Sequence, residues 1–327
     1  MKRALVLGGG GFIGNAMVER LIGEGFWVRA VDLKAPDFSK SSANEFFLGD
    51  LRDVQVVRES LEIANDFDEI YQFAADMGGA GFVFTGENDA DIMHNSAVIN
   101  LNLLEELRKR NSDRKENKTK VFYSSSACMY PEYNQLDRLN PICSEDSAYP
   151  ASPDSEYGWE KLFSERLYLA YNRNHRIKVA IARYHNIFGP YGTWRGGKEK
   201  APAAICRKVA ESEKYIQIWG DGDQLRSFLY IDECIKFTKE FYREQLFFKP
   251  INIGSTETVS IDTLVDMVCE IANKPLTKVY VDGPTGVKAR TSDNVLIEKV
   301  LGKTPKEDLK AGLEETYKWI SSLVKTE

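Results

Sequence analysis

Short apolar runs alternate with longer segments of helical periodicity along the first half of the chain. The apolar runs read as buried strands at residues 3–8, 27–31, 45–48 and 69–73. Helical spacing of apolar positions predicts helices near residues 53–63 and 89–110. Because strands that alternate with helices form parallel sheets covered on both faces, the pattern predicts an α/β fold built on a doubly wound parallel sheet.

The second half of the chain begins with the same pattern and then changes. Lys120–Tyr123 and Lys178–Arg183 predict two more strands, with a helix between them from Tyr157 to about Asn174. The following stretch predicts a hairpin in which Ile216–Trp219 pairs with Arg226–Tyr230 across a glycine turn. Further elements are expected as a helix over 201–212, a strand at 250–254 and a strand near 278–281.

This change of pattern divides the chain into two unequal parts. We expect a dinucleotide-binding domain over residues 1–186, with a late return near 250–273. Residues 187–249 and 274–327 are expected to form a smaller C-terminal substrate-binding domain. Two stretches interrupt the pattern: 111–120 is expected to be a solvated loop, and 131–156, with four prolines, is expected to be irregular.

A glycine-rich stretch follows the first predicted strand and precedes a helix that runs to about Glu24. Glycines let the backbone approach a pyrophosphate closely, and the helix N-terminus offers it free amides, as in Rossmann-type sites. Asp32 ends the next strand, close to the spacing expected for a carboxylate on the adenosine ribose. That charge repels a 2′-phosphate, so the sequence favours NAD, although Lys34 leaves NADP open. The predicted cofactor-binding residues are Gly8, Gly11, Phe12, Ile13, Gly14, Asp32, Asp50, Leu51, Ala74, Tyr157, Lys161 and Tyr184.

Four residues able to exchange protons are predicted to converge near this site. Ser126 and Cys128 follow a buried strand, and on an extended backbone their side chains point to the same face. Tyr157 and Lys161 are four residues apart on a predicted helix and share one of its faces. The alternative interpretation of Cys128 is a small buried apolar residue. The loop Met77–Gly81 also follows a strand, and it is either part of the site or a plain connection.

Composition excludes several classes of function. Apolar residues make up 43% of the chain and charged residues 28%, as in an ordinary globular protein. The net charge of -6 argues against broad nucleic-acid binding, and no apolar stretch approaches the length of a membrane span. The five cysteines include no Cys-x-x-Cys pair and the three histidines are scattered, which predicts reduced thiols, a cytoplasmic location and no metal site.

The glycine loop, Asp32, Ser126, Tyr157 and Lys161 together resemble the extended short-chain dehydrogenase/reductase family. The resemblance narrows to the branch that epimerises GDP-mannose at carbons 3 and 5, through residues 75–79, 126–132, 192–204, 219–222 with 226–228, and 286–294. Related dehydratases carry an Asp-Glu pair after the serine, where this chain has Ala127 and Cys128.

The resemblance implies a reaction and the residues that perform it. Tyr157, with a pKa lowered by Lys161, would remove the proton from the sugar 4-hydroxyl beside Ser126, while NAD takes the hydride from carbon 4. Cys128 and Lys200 would then act as the acid/base pair at carbons 3 and 5. From composition alone, Lys200 would be interpreted as a solvated lysine.

The resemblance also implies how the substrate is held. The residues expected to bind it are Gly78, Ser126, Asn186, Glu199, Lys200, Lys208, Gln224, Arg226 and Arg290. Arginine suits a diphosphate because its planar fork binds phosphate oxygens in pairs, although these charges are also consistent with ordinary surface positions. A homodimer through the helices near 89–110 and 157–174 is expected by the same resemblance. The alternatives are another nucleotide-sugar epimerase, such as a 4-epimerase, or a nucleotide-binding regulatory protein without catalysis.

Overall fold

Seven parallel strands form the centre of the molecule, which we describe from a computed structural model covering residues 1–63, 66–111, 119–244, 249–306 and 308–326. The strands of this central sheet and of the smaller sheets around it are, in chain order, β1 (Arg3–Leu7), β2 (Trp27–Asp32), β3 (Glu45–Leu48), β4 (Glu69–Gln72), β5 (Lys120–Ser126), β6 (Lys178–Tyr184), β7 (Ile187–Phe188), β8 (Tyr215–Trp219), β9 (Leu225–Ser227), β10 (Leu229–Tyr230), β11 (Ile251–Ile253), β12 (Thr258–Ser260), β13 (Thr277–Val281) and β14 (Ala289–Arg290). The helices are α1 (Phe12–Gly23), α2 (Val54–Leu61), α3 (Ala80–Val83), α4 (Asp89–Asn111), α5 (Glu156–His175), α6 (Ala201–Glu211), α7 (Ile231–Arg243), α8 (Ile261–Ala272), α9 (Val295–Leu301) and α10 (Leu309–Val324).

The central sheet has the strand order β3-β2-β1-β4-β5-β6-β11, and all its pairs are parallel. This confirms the predicted α/β, Rossmann-type class. The late strand β11 joins the edge of the sheet beside β6, as the sequence indicated. The order reverses between β1 and β4, and ligands of open parallel sheets bind at such a reversal.

The two faces of the sheet pack against different helices. On one face, Ala4 and Val6 of β1 pack with apolar residues of α1 and α7, including Met17 and Phe241. On the other face, residues of β1 and β4 pack with α2, α4 and α5. Because both faces are covered, β1 is apolar almost without interruption, which is why it could be predicted from a short run.

The C-terminal part forms a separate apolar cluster between α6, α8 and α10. Here the predicted hairpin is wrong. Strand β8 pairs in parallel with β13, whereas β9 pairs with β12 and β14. Gly220 and Gly222 do form a turn with positive φ angles of 72° and 76°. The turn is bonded to more distant segments, because the Gly220 amide donates to the Val281 carbonyl and the Asp262 amide donates to the Gly222 carbonyl.

Two stretches, 111–120 and 131–156, interrupt the predicted pattern of strands and helices. Most of the predicted loop at 111–120 lies outside the described residues. The stretch 131–156 is irregular as predicted, with single turns at Glu132–Gln135 and Glu145–Ala148. Among the described parts of the chain, no helix combines the length and apolarity needed to cross a bilayer.

Candidate active site

One cavity of about 1130 Å³ opens at the carboxyl ends of the central strands. It runs from the glycine loop after β1 to the C-terminal part of the chain, with walls from both. Every residue predicted above to be catalytic, cofactor-binding or substrate-binding lines it. Segments that lie far apart along the chain therefore meet in one cavity.

The end of the cavity nearest β1 fits a dinucleotide such as NAD. Gly11 caps α1 without a side-chain hydrogen bond, and no acidic residue lies in the first turn, so the helix presents its N-terminal end to an anion. A Cβ at Gly14 would lie 2.0 Å from the Gly8 carbonyl oxygen, so only glycine lets α1 lie this close to the loop. Phe12 and Ile13 line the cavity beside these glycines.

Two aspartates lie at the ends of neighbouring strands beside the glycine loop. Asp32 accepts hydrogen bonds from the backbone amides of Gly10 and Leu33 at 2.9 and 2.7 Å. Burial raises the pKa of Asp32, although these amides oppose the shift. Asp50 is paired with Arg52 at 2.6 Å, and this guanidinium lowers the pKa of Asp50. Asp32 therefore occupies the position expected for a ribose-binding carboxylate.

Ser126 and Cys128 line the same cavity, but not for the reason predicted. The backbone leaves the extended conformation after Ser126 and forms a single turn at Ala127–Met129. The Ser126 hydroxyl caps this turn by accepting from the Cys128 amide at 3.2 Å. The expectation of an extended strand through Cys128 is thus wrong, because serine at the strand end favours a capped turn. The turn nevertheless presents both side chains to the cavity.

Tyr157 and Lys161 are held against this turn by the start of α5. Ser155 caps the helix through the Gly158 amide at 3.2 Å. A Cβ at Gly158 would lie 2.2 Å from the Cys128 carbonyl oxygen, so the helix and the turn touch at a position only glycine can occupy. The Lys161 ammonium donates to the Ser124 carbonyl at 3.0 Å and lies 5.7 Å from the centre of the Tyr157 ring.

Burial dominates the ionisation of this tyrosine–lysine pair. It raises the pKa of Tyr157 well above its usual range; Cys128 adds to the shift and the Ser126 hydroxyl opposes it. The expected lowering of the Tyr157 pKa by Lys161 is therefore wrong for this structure. Burial also lowers the pKa of Lys161, with Glu160 opposing. Both shifts favour uncharged side chains, because a buried charge loses its hydration.

Lys200 enters the cavity at the start of α6, where it is the residue preceding the first helical turn. The loop Met77–Gly81 holds this segment in place, because the Gly79 amide donates to the Lys198 carbonyl at 2.9 Å. A Cβ at Gly79 would lie 2.1 Å from the Glu199 carbonyl oxygen. The loop is therefore part of the site. Burial lowers the pKa of Lys200, and Cys128 and Cys234 oppose the shift.

Basic and amide side chains line the end of the cavity farthest from β1. Arg226 donates to the carbonyls of Thr285 and Val287 at 2.9 and 2.7 Å, and burial together with Arg290 lowers its pKa to about 10. Lys208 donates to the Gln217 carbonyl at 2.9 Å. Gln224 is buried, and its Oε1 has no hydrogen-bond partner among the described residues. This region combines fixed positive charge with an unused acceptor.

The remaining predicted residues contribute shape more than charge. Asn186 has a positive φ of 44° and donates to the Ser227 carbonyl at 3.0 Å, which joins β6 to β9. The Tyr184 hydroxyl is bonded to Thr238 at 2.7 Å, so the ring is what it offers to the cavity. Glu199 is paired with Arg207 at 3.2 Å. Gly78, Leu51 and Ala74 complete the walls.

Sequence reasoning missed two residues that the irregular stretch brings to the site. Asp154 lines the cavity and forms a buried ion pair with Arg290 at 2.8 Å. Gln135 is fully buried behind it and accepts from Arg290 Nε at 2.5 Å. Neither residue lies in a motif, and only the charge of Arg290 signalled that a buried acceptor must be near it.

Comparisons with known proteins agree with this geometry. The model of the NAD dependent epimerase/dehydratase family matches residues 4–254. GDP-mannose 3,5-epimerase of Arabidopsis thaliana is 42% identical over 98% of this chain and 83% of its own. GDP-mannose 3,5-epimerase 1 of Oryza sativa subsp. indica is 41% identical over 99% of this chain and 83% of its own.

Solved structures show the same fold. UDP-glucuronic acid 4-epimerase from Bacillus cereus, in complex with UDP-glucuronic acid and NAD, superposes with a TM-score of 0.80. It is 26% identical, and the match covers 98% of this chain and 99% of that one. The expectations of an NAD-dependent epimerase on a Rossmann-type sheet are confirmed, and the chain belongs to the NAD dependent epimerase/dehydratase family.

Proposed function

We propose that the chain converts GDP-mannose to GDP-L-galactose by inverting carbons 3 and 5 of the hexose, with GDP-L-gulose as the product inverted only at carbon 5. The observation that carries the proposal is that Cys128 and Lys200 both line the cavity that Tyr157 and Lys161 also line. A pair of acid/base groups beside an oxidising site is what inversion next to a ketone needs. The identity of 41–42% to GDP-mannose 3,5-epimerases supports the same assignment.

The first part of the reaction uses the residues at the end of β5 and the start of α5. The glycine loop and Asp32 would hold NAD, which would supply an acceptor for the hydride of sugar carbon 4 and a donor for its return. To take the proton of the sugar 4-hydroxyl, Tyr157 must first be ionised, which burial opposes and the Ser126 hydroxyl favours. Ser126 also orients the sugar hydroxyl. Lys161 is fixed beside the tyrosine ring by its bond to Ser124, and in its protonated form it would stabilise the ionised tyrosine.

The second part of the reaction uses Cys128 and Lys200. A ketone at carbon 4 acidifies the hydrogens on carbons 3 and 5, because each carbanion delocalises as an enolate. Inversion then needs one group to remove a proton and another to return one on the opposite face. Burial lowers the pKa of Lys200, so its ammonium gives up a proton more readily and can return one to the carbanion, while Cys128 removes the other.

The nucleotide end of the substrate would occupy the part of the cavity beyond Lys200. Arg226 and Lys208 supply positive charge there for a diphosphate, despite the acidic net charge of the chain. Arg290 also lines the cavity, but its charge is paired with Asp154 and it lies against Cys128. The buried, unpartnered Oε1 of Gln224 offers an acceptor to a ribose or base donor. We assign this binding role to the C-terminal segments, 187–249 and 274–327, and the dinucleotide to residues 1–186.

A nucleotide-sugar 4-epimerase is the second candidate, because Ser126, Tyr157 and Lys161 would serve that reaction equally well. It would leave Cys128 and Lys200 without a chemical role in the cavity. Incubation with GDP-mannose and, separately, with UDP-glucose distinguishes the two by analysis of the sugar products. Conversion of GDP-mannose to galacto- and gulo-configured sugars is expected, and conversion of UDP-glucose alone would overturn the proposal.

A homodimer and a cytoplasmic location complete the proposal. Leu101 on α4 and Trp159 and Phe163 on α5 are apolar side chains exposed by 40–46%. Trp159 and Phe163 are four residues apart and so share a helix face, which a second copy would cover. Sedimentation should show a dimer that Phe163→Glu dissociates, and a monomeric parent protein would refute it.

All five cysteines are unpaired, which fits a reducing compartment.

A further inference from the structure

The guanidinium of Arg290 is fixed by three residues at once. Nε donates to Gln135 Oε1 at 2.5 Å, Nη1 to Cys128 Sγ at 3.0 Å, and Nη2 to Asp154 Oδ2 at 2.8 Å. Arg290 is 5% exposed, so these contacts are shielded from water. A planar guanidinium held at three corners has one orientation, and here that orientation points one nitrogen at the Cys128 sulfur.

Gln135 sets one of those corners from outside the cavity. It is fully buried and does not line the cavity, whereas Asp154 and Arg290 do. Its own amide nitrogen donates to the carbonyls of Tyr130 and Pro131 at 3.2 and 3.0 Å. These two bonds determine which side of the amide is oxygen and aim that oxygen at Arg290. The oxygen of Gln135 therefore reaches the chemistry through Arg290, while its nitrogen holds the backbone that follows the Cys128 turn.

A fixed positive charge on a cysteine sulfur stabilises its thiolate, which is the basic form of that residue. Asp154 alone would hold the guanidinium at one end and leave it free to swing in the ion-pair plane. Gln135 removes that freedom, because it engages the opposite edge at Nε. The Arg290–Cys128 contact thus depends on a neutral amide that no substrate reaches.

We propose that Gln135 is a positioning residue for proton exchange at carbons 3 and 5, because it holds Arg290 against the Cys128 sulfur. This inference rests on the proposed function, in which Cys128 exchanges those protons. Oxidation at carbon 4 is assigned to Tyr157, which Gln135 does not contact. The two parts of the reaction should therefore respond differently to a change at Gln135.

The test replaces Gln135 with methionine, which has similar volume but neither the oxygen that accepts from Arg290 nor the nitrogen that donates to Tyr130 and Pro131. With GDP-mannose in heavy water, Gln135→Met should lower deuterium entry at carbons 3 and 5 by ~10-fold, since hydrogen bonds to charged groups are among the stronger ones. Hydride transfer from carbon 4, followed by NADH absorbance, should stay within about twofold. Thr316→Val, which removes a buried hydrogen bond in α10 away from the cavity, is the matched control and should change neither rate.

Arg290→Lys provides the second arm, because lysine cannot make the three-cornered contact. If Gln135 acts through Arg290, Gln135→Met should cause little further loss in the Arg290→Lys background. Losses that multiply, or a normal deuterium rate in Gln135→Met, would overturn the inference. Should Gln135→Met fail to fold, Gln135→Asn withdraws the same amide by one methylene and repeats the test.

A third measurement needs no sugar and separates this inference from the proposed function. The ultraviolet absorbance of thiolate, taken as the difference between the parent enzyme and Cys128→Ala, should be smaller when Gln135 is methionine. An equal difference in both backgrounds would overturn the positioning role. If the parent enzyme exchanges no protons with any nucleotide sugar, the proposed function fails while this measurement still decides the role of Gln135.

Discussion

Gly158→Ala is a direct test of the contact between the active-site turn and α5. The added Cβ would lie 2.2 Å from the Cys128 carbonyl oxygen and 2.8 Å from Pro153 Cβ. Real Cβ contacts below 3.0 Å are essentially absent, so the helix and the turn must separate by most of an ångström. The movement would carry Tyr157 and Cys128 apart, since one lies on each side of the contact.

That movement should lower both the free energy of unfolding and the rate of epimerisation. Forcing extra atoms into a packed contact costs typically ~1–3 kcal/mol of unfolding free energy. A misplacement of ~1 Å at reacting groups can cost ~10²-fold in rate. We expect both losses, measured by denaturant unfolding and by initial rates of epimerisation.

The matched control for this variant is Gly23→Ala at the end of α1, where an added Cβ has no heavy atom within 4 Å. Alanine is the better helix former there, so stability should be unchanged or higher by up to ~1 kcal/mol, with a normal rate. A Gly158→Ala enzyme with parental stability and rate would refute the close contact.

Three further predictions address the chemistry. Cys128→Ala should lose epimerisation by at least ~10²-fold but still show NADH absorbance on addition of GDP-mannose, whereas near-normal epimerisation would make this cysteine structural. Because burial lowers the pKa of Lys200, keeping this side chain charged reduces the free energy of unfolding at neutral pH. The reduction becomes smaller as the pH rises towards the pKa of the lysine in the unfolded chain, about 10.4. Lys200→Met should therefore lose activity yet melt at a higher temperature at pH ~7, with less gain near pH ~10; a lower melting temperature at pH ~7 would contradict this. NAD should copurify with the enzyme because the reaction regenerates it, and cofactor-free protein active without added NAD would contradict this.

Signals that are local in sequence predicted the sheet and the cofactor end of the cavity. Strands β1, β4, β5 and β6 are buried almost throughout, so each is a short apolar run that can be recognised without knowing which strands lie beside it. The glycine loop and Asp32 likewise belong to one strand–helix–strand unit, in which the loop follows β1 and Asp32 ends β2. The position of Lys200 came from the family resemblance, since nothing in a Lys-Glu-Lys sequence indicates that its last residue is half-buried in a cavity.

Two predictions of backbone structure were wrong, the hairpin and the extended strand through Cys128. In both places the conformation depends on pairing with a distant segment or on a side-chain cap. β8 and β9 flank a glycine turn that is typical of a hairpin, yet each pairs with a strand far along the chain. Ser126 ended the strand by capping a turn, which no alternation of apolar residues reveals. Gln135 and Asp154 lie in the irregular stretch, and only the fold brings them to Arg290.

The central claim is that this cavity inverts carbons 3 and 5 of GDP-mannose through proton exchange at both. Incubation of the enzyme with GDP-mannose in heavy water, followed by nuclear magnetic resonance of the recovered sugars, tests it most directly. Deuterium is expected at carbon 5 of both inverted products and also at carbon 3 of the doubly inverted product, with none at carbon 4. Inversion at carbon 4, or turnover without deuterium at carbons 3 and 5, would contradict it.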